Sequence, residues 1–175
     1  ARARQPLPAR RSDSTFWHLV TTMSEPGGFF RSDNFVSNET SYQRILDRLQ
    51  SATPPGGVYV GVGPDQNFTY IVALRPRMAF IVDIRRQALL QQLMYKALFE
   101  MSPSRADFVS HLFSRALPAG LDSDATPAAL FRAVCAAAPD SARYRDNLRE
   151  IVDRLLHRHR FALSADDLRG LAYVY

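Results

Sequence analysis

Between Gly57 and Glu100 the chain runs in an order that few folds accommodate. An apolar run ending in glycines (Val58-Tyr59-Val60-Gly61-Val62-Gly63) is followed by a polar turn and a short helical segment. A second apolar run (Met78 to Val82) then ends in Asp83 and leads into a long helix. Strand, glycine turn, helix, strand, acid, helix is the first half of a nucleotide-binding βαβ unit. The runs Val58 to Val62 and Ala79 to Val82 are short and rich in β-branched and aromatic residues. Such composition predicts parallel strands buried on both faces, with a connection long enough for a crossover.

Ligands of such sheets sit beyond the carboxyl ends of the strands. Gly61 and Gly63 stand at the first of these ends, where a missing Cβ permits a tight turn and close approach of a ligand. Asp83 stands at the second, twenty residues after Gly63, about the spacing at which an acid accepts hydrogen bonds from ribose hydroxyls. The motif is partial. The dinucleotide fingerprint needs glycine where Gln66 stands, and the methyltransferase version needs an acid at Tyr59 and glycine at Asp65. Two plainer readings therefore stay open: the glycines only turn the chain, and Asp83 caps the helix that starts near Arg85.

Four further runs carry a resemblance: Ser24-Glu25-Pro26-Gly27-Gly28-Phe29-Phe30, Asp33 to Glu39, Gly61 to Asn67, and Asp83-Ile84-Arg85-Arg86-Gln87. Together they resemble an uncharacterised bacterial family that is similar in layout to class I S-adenosylmethionine (SAM)-dependent methyltransferases. The resemblance covers most of Phe16 to Arg115 and implies a Rossmann-like fold. It also implies that this chain is an N-terminal portion whose remaining strands lie beyond Tyr175. In methyltransferases the segment before the first strand edges the cofactor site, so the resemblance places Ser37, Asn38 and Glu39 there. Gly61 and Gly63 would then make room for the methionine portion, Asp83 would hold the ribose, and Gln66, Asn67 and Asn38 would supply polar contacts.

The rest of the chain is read more simply. Ala1 to Arg11 is basic and aperiodic, a disordered arm that the fold joins by residue 14. Ser14 to Met23 is a first helix, stopped by Pro26-Gly27-Gly28. Phe29 to Ser37 mixes aromatic and polar residues with neither period, the composition of a loop folded over a site. Asn38 reads as the N-cap of a helix carrying Tyr42, Ile45, Leu46 and Leu49. Gln66 to Leu74 and Gln87 to Met101 are helices, the second with a broad apolar stripe.

Everything after Met101 is helical: Ser102-Pro103 to about Ala116, with Phe108, Leu112 and Phe113 inward, then a helix begun by Thr126-Pro127, a long one capped by Asp140, and a last one opened by Ser164 and Asp167. The expected whole is one helix-rich α/β domain over residues 14–175, with a nucleotide-binding-like core (14–101), a helical part (102–175) and a sheet incomplete in this chain.

Charge and cysteine content narrow the partners. Lys and Arg total 22 against 17 Asp and Glu, a net charge of +5, but Lys96 is the sole lysine and the arginines are interspersed with acids, which gives no basic footprint for specific nucleic-acid binding. No apolar run approaches the roughly 18 residues of a membrane span. The lone Cys135 reads as a small core residue. His157 and His159 are two apart, about 200° around a helix, and cannot share a metal ion. Location stays open between the cytoplasm and export after signal removal.

Two functions emerge as expectations. One is a SAM-dependent methyltransferase-like protein of unspecified substrate, and the other a non-catalytic Rossmann-like binding or scaffold module. A nicotinamide dehydrogenase ranks below both, because Gln66 replaces its third glycine.

Overall fold

A computed structural model describes residues 10–32, 34–121 and 124–175. Most of the expected basic arm, and Asp33, lie outside the described residues. Two compact units make up the chain, the first ending at Leu89 and the second running from Leu90 to Tyr175.

In the first unit α1 (Asp13–Met23) precedes a 3-10 turn (Tyr42–Ile45), α2 (Leu46–Ala52), β1 (Val58–Val62), α3 (Gln66–Leu74) and β2 (Met78–Val82). The strands pair in parallel, as their composition predicts, with Val58 opposite Met78 and Val62 opposite Val82. Arg75 closes α3 in the left-handed region at φ 48°. Backbone bonds from Gly56 N to Arg75 O and from Arg77 N to Gly57 O then align the two strand starts. α2 packs on α3, and the Gln50 amide donates to the Ala73 carbonyl at 3.0 Å.

Two expectations are corrected here. The sheet is not buried on both faces. Side chains alternate along a strand, and the face bearing Tyr59 and Gly61 meets α3, whereas Val58, Val60 and Val62 stay 64–69% exposed. Asn38 is not an N-cap either: helical backbone starts only at Tyr42, and Ser41 before it makes no side-chain cap bond. Within the described residues, then, the chain is a helix-rich α/β protein with eight α-helices and a two-stranded parallel sheet.

α4 (Arg86–Met101) leads into the second unit, which continues with α5 (Arg105–Phe113), α6 (Pro127–Ala136), α7 (Ser141–Asp153), a π-helical turn (Arg154–Arg158) and α8 (Ala165–Val174). The stripe Leu90, Leu93, Met94, Ala97 and Leu98 is fully buried, as are Ile151, Leu155, Phe161 and Leu171. These residues form one apolar core, and each leucine, isoleucine, methionine or phenylalanine buried there contributes roughly 1.5–3 kcal/mol.

Local capping sets the helix starts. Thr126, Asp140 and Ser164 accept from the first-turn amides as their sequences predict, Ser164 within a capping box with Asp167. α5 is different. Ser104, not Ser102, is its cap, paired in a box with Asp107, while the Ser102 hydroxyl turns back to the Leu98 carbonyl at 2.6 Å. α5 also stops at Phe113, because Ser114 turns left-handed, and Phe113 is exposed rather than inward. Cys135 is exposed too, since it lies on the side of α6 away from buried Leu130 and Val134.

At the end of α4, Glu100 lies 2.7 Å from Lys96 Nζ and 2.8 Å from Nε2 of buried His159. Burial pushes the Glu100 carboxyl up, but the hydrogen bonds from Lys96 and His159 outweigh it and leave it below its ordinary value. A carboxylate depressed in the folded state adds stability above its unfolded value, about 4.3, and loses it as pH falls through the folded value. Thermal melts across pH 7 to 3 should therefore show a fall in stability below about pH 4.3 that Glu100→Gln makes shallower. An identical profile in the variant would contradict the assignment.

Candidate functional site

β1 ends in a turn that is filled from within. Gly63 takes φ +81°, a conformation that side-chain-bearing residues rarely adopt, and its amide donates to Val82 O at 3.1 Å, extending the pairing past the last strand residue. Asn67, in the first turn of α3, is 2% exposed and points back beneath this turn. Its amide nitrogen donates to the carbonyls of Val62, Gly63 and Pro64 at 3.3, 3.2 and 2.7 Å. Its oxygen accepts from the Tyr59 hydroxyl at 2.6 Å. Burial, and secondarily Tyr70, push the Tyr59 pKa up, which keeps it a donor.

This bond occupies the space beside Gly61. A Cβ there would stand 1.9 Å from Asn67 Oδ1 and 2.6 Å from the Tyr59 hydroxyl. Gly61 is thus needed for the approach of Asn67, and Asn67 uses its polar atoms on the turn.

At the end of β2, Asp83 Oδ1 accepts from the Arg85 amide at 2.9 Å, a side-chain turn that feeds α4, and lies 3.4 Å from Arg85 Nε. No hydrogen bond to Asp83 Oδ2 exists among the described residues, and this oxygen is 3.9 Å from where a Cβ on Gly63 would sit. Gly63 and Asp83 therefore share one edge, with Asn67 directly beneath it.

Residues 28–32 and 34–37 are fastened across both strand ends. Gly28 N donates to Ile84 O at 2.8 Å. Arg85 donates to the carbonyls of Ser32 and Asn34 at 2.7 and 3.1 Å, with its guanidinium 4.4 Å from the Phe35 ring centre and 5.3 Å from that of Phe30. Ser37 N donates to Asp65 Oδ1 at 2.9 Å, and Ser37 Oγ to Gln66 Oε1 at 2.6 Å. Of the expected site residues, Gly61, Gly63, Gln66, Asn67, Asp83 and Ser37 thus gather at one end of the sheet. Asn38 and Glu39 are exposed beyond Ser37 and make no hydrogen bond among the described residues.

Sequence reasoning missed Tyr59, Asp65 and Arg85 as parts of this assembly. The one local signal was the Asp-x-Arg spacing at Asp83 and Arg85, which suits a side-chain turn. The partners of Tyr59 and Asp65 lie 8 and 28 residues away along the chain.

A family model described as a domain of unknown function (DUF7790) matches residues 34–152. The chain belongs to this family. No curated protein and no solved structure matches it. In this DUF7790 chain the matched stretch contains both strands, the turn at Gly63, Asp83 and Arg85.

The filled turn makes a direct prediction. Gly61→Ala should destabilise the protein by about 2–3 kcal/mol through overpacking, and Tyr59→Phe by about 1–3 kcal/mol by leaving the buried Asn67 oxygen without its donor. Urea unfolding of both variants measures this, and a Gly61→Ala midpoint equal to wild type would refute the packing argument.

Proposed function

We propose that the first unit is a Rossmann-like nucleotide-binding module that takes S-adenosylmethionine, so that the protein is methyltransferase-like with an acceptor still to be identified. The observation that carries this reading is Asp83 Oδ2. It is an acceptor at the carboxyl end of the second strand, beside the positive-φ Gly63, while Oδ1 holds the turn. A carboxylate so placed suits the hydroxyls of a ribose.

The fit is with the adenosine end of the cofactor. Beside Gly61, the space that the methionine portion would need is taken by Asn67 and Tyr59. Methyl transfer from SAM asks chiefly for positioning of donor and acceptor, so an acid–base pair is not required of the site. A second reading, a non-catalytic Rossmann-like scaffold, is favoured by the inward use of Asn67, Gln66, Asp65 and Ser37.

Asp83→Asn separates the two. The Arg85 amide selects the Asn oxygen for the Oδ1 position, so the turn survives, while the Oδ2 position becomes an NH2 donor. Charge-assisted bonds are worth roughly 1.5–3 kcal/mol each, so SAM affinity should drop about tenfold or more with thermal stability unchanged. Calorimetric titration with SAM, its demethylated product and NAD, run on wild type and Asp83→Asn, provides the measurement. If none of the three binds wild type at millimolar concentration, the scaffold reading replaces the cofactor one.

A further inference from the structure

The second unit contains a cavity of about 280 Å³ between α5, the loop at residues 116–121 and the first turn of α7. That loop is tied at its start. The Ser110 hydroxyl donates to Arg115 O at 2.7 Å, and the Arg115 guanidinium donates to the carbonyls of Val134 and Ala137, both at 2.8 Å.

Arg143 on its wall is the anomaly. Where Arg115 has two carbonyl acceptors, the Arg143 guanidinium has no hydrogen bond and no ion pair among the described residues, its Nε is sealed from solvent, and its charge acts on the Asp140 carboxylate only through space. A guanidinium cannot shed its proton, so a partly buried one without an acceptor calls for an explanation. Asp107 lines the same cavity, yet its Oδ2 is taken by the amide and hydroxyl of Ser104 at 3.1 and 2.7 Å. Asp140 uses its Oδ1 on the amides of Ala142 and Arg143.

We propose that this cavity binds a small monocarboxylate with an apolar body, held by a bidentate pair with Arg143. The planar fork of arginine matches a carboxylate, and Ala106, Leu117, Pro118 and Leu121 supply apolar wall for the remainder of the ligand. The volume lies just below the roughly 300–1,000 Å³ usual for ligand sites, which restricts the ligand to a few carbons. The Asp107 carboxylate on the wall repels a second negative charge, so inorganic phosphate is disfavoured. Nothing in this inference depends on the cofactor reading of the first unit.

The test uses the 175-residue chain, wild type and Arg143→Gln, in thermal-shift titrations with isocaproate, its neutral analogue isocaproamide, and inorganic phosphate. Isocaproate should raise the wild-type Tm saturably at millimolar concentration, with the amide and phosphate at least about tenfold weaker. Arg143→Gln should lose the response to isocaproate while its Tm without ligand equals that of wild type, because the guanidinium makes no hydrogen bond or ion pair among the described residues. A Tm lowered by several degrees in the unliganded variant would make Arg143 a structural residue and overturn the site. So would an amide or phosphate response equal to that of isocaproate, or no isocaproate response in wild type.

Discussion

A chain that leaves a parallel strand and turns at once into a helix strands several carbonyls, which have left the ladder and do not yet belong to the helix. In this protein the carbonyls of Val62 and Gly63 are in that position, and the side-chain amide of Asn67 serves both, together with the Pro64 carbonyl that the Asn67 backbone amide also reaches at 3.3 Å. Left unpaired beneath the turn, the Val62 and Gly63 carbonyls would each cost about 1–3 kcal/mol. This need shapes the rest of the strand end. Asn67 reaches the carbonyls only across the place where residue 61 would carry a Cβ, and its oxygen then needs the Tyr59 hydroxyl. With the inner side of the turn filled, the acceptor that stays open among the described residues is on the outer edge, at Asp83 beside Gly63.

That edge is framed by a second arrangement, in which one arginine makes several contacts at once. Arg85 takes two carbonyls of the preceding loop, lies near two aromatic rings and sits beside Asp83. Cation–π contacts are worth about 0.5–1 kcal/mol each at exposed sites and more when desolvated, and hydrogen bonds to charged groups about 1.5–3 kcal/mol. The aromatic loop is therefore held to the same strand end that supplies Asp83, and the two carboxylate oxygens of that residue are free to differ in role.

What could be read from the sequence was whatever a few neighbouring residues decide. The β-branched runs gave the parallel pair, and Thr126, Asp140 and Ser164 gave their caps, because a cap bond spans two or three residues. The failures share one cause, a competing partner that local pattern does not contain. Ser102 is followed by a proline and looks like a cap, but its hydroxyl finds Leu98 O, which leaves Ser104 to start the helix. Gly61 looked like space for a ligand, and its neighbour is Asn67. The valines of β1 have the composition of a doubly covered strand, yet burial depends on how many layers are present, and among the described residues none covers the face of Val58, Val60 and Val62. Arg143 gives no sequence signal at all, since an arginine without a hydrogen bond among the described residues and one with several read alike.

The π-helical turn at Arg154–Arg158 has a consequence of its own. Its closing bond runs from His159 N to Arg154 O at 2.9 Å, one residue longer than an α-helical bond. Each extra residue rotates the chain beyond it by about 100° relative to a regular helix. His157 is thereby left in solvent while His159 comes to rest on Phe161 and against Glu100. What this segment encodes is a phase rather than a set of side chains. Point substitutions at its exposed positions leave the phase intact, whereas deletion of a single residue would turn the imidazole away from its carboxylate and rotate the chain leading into α8.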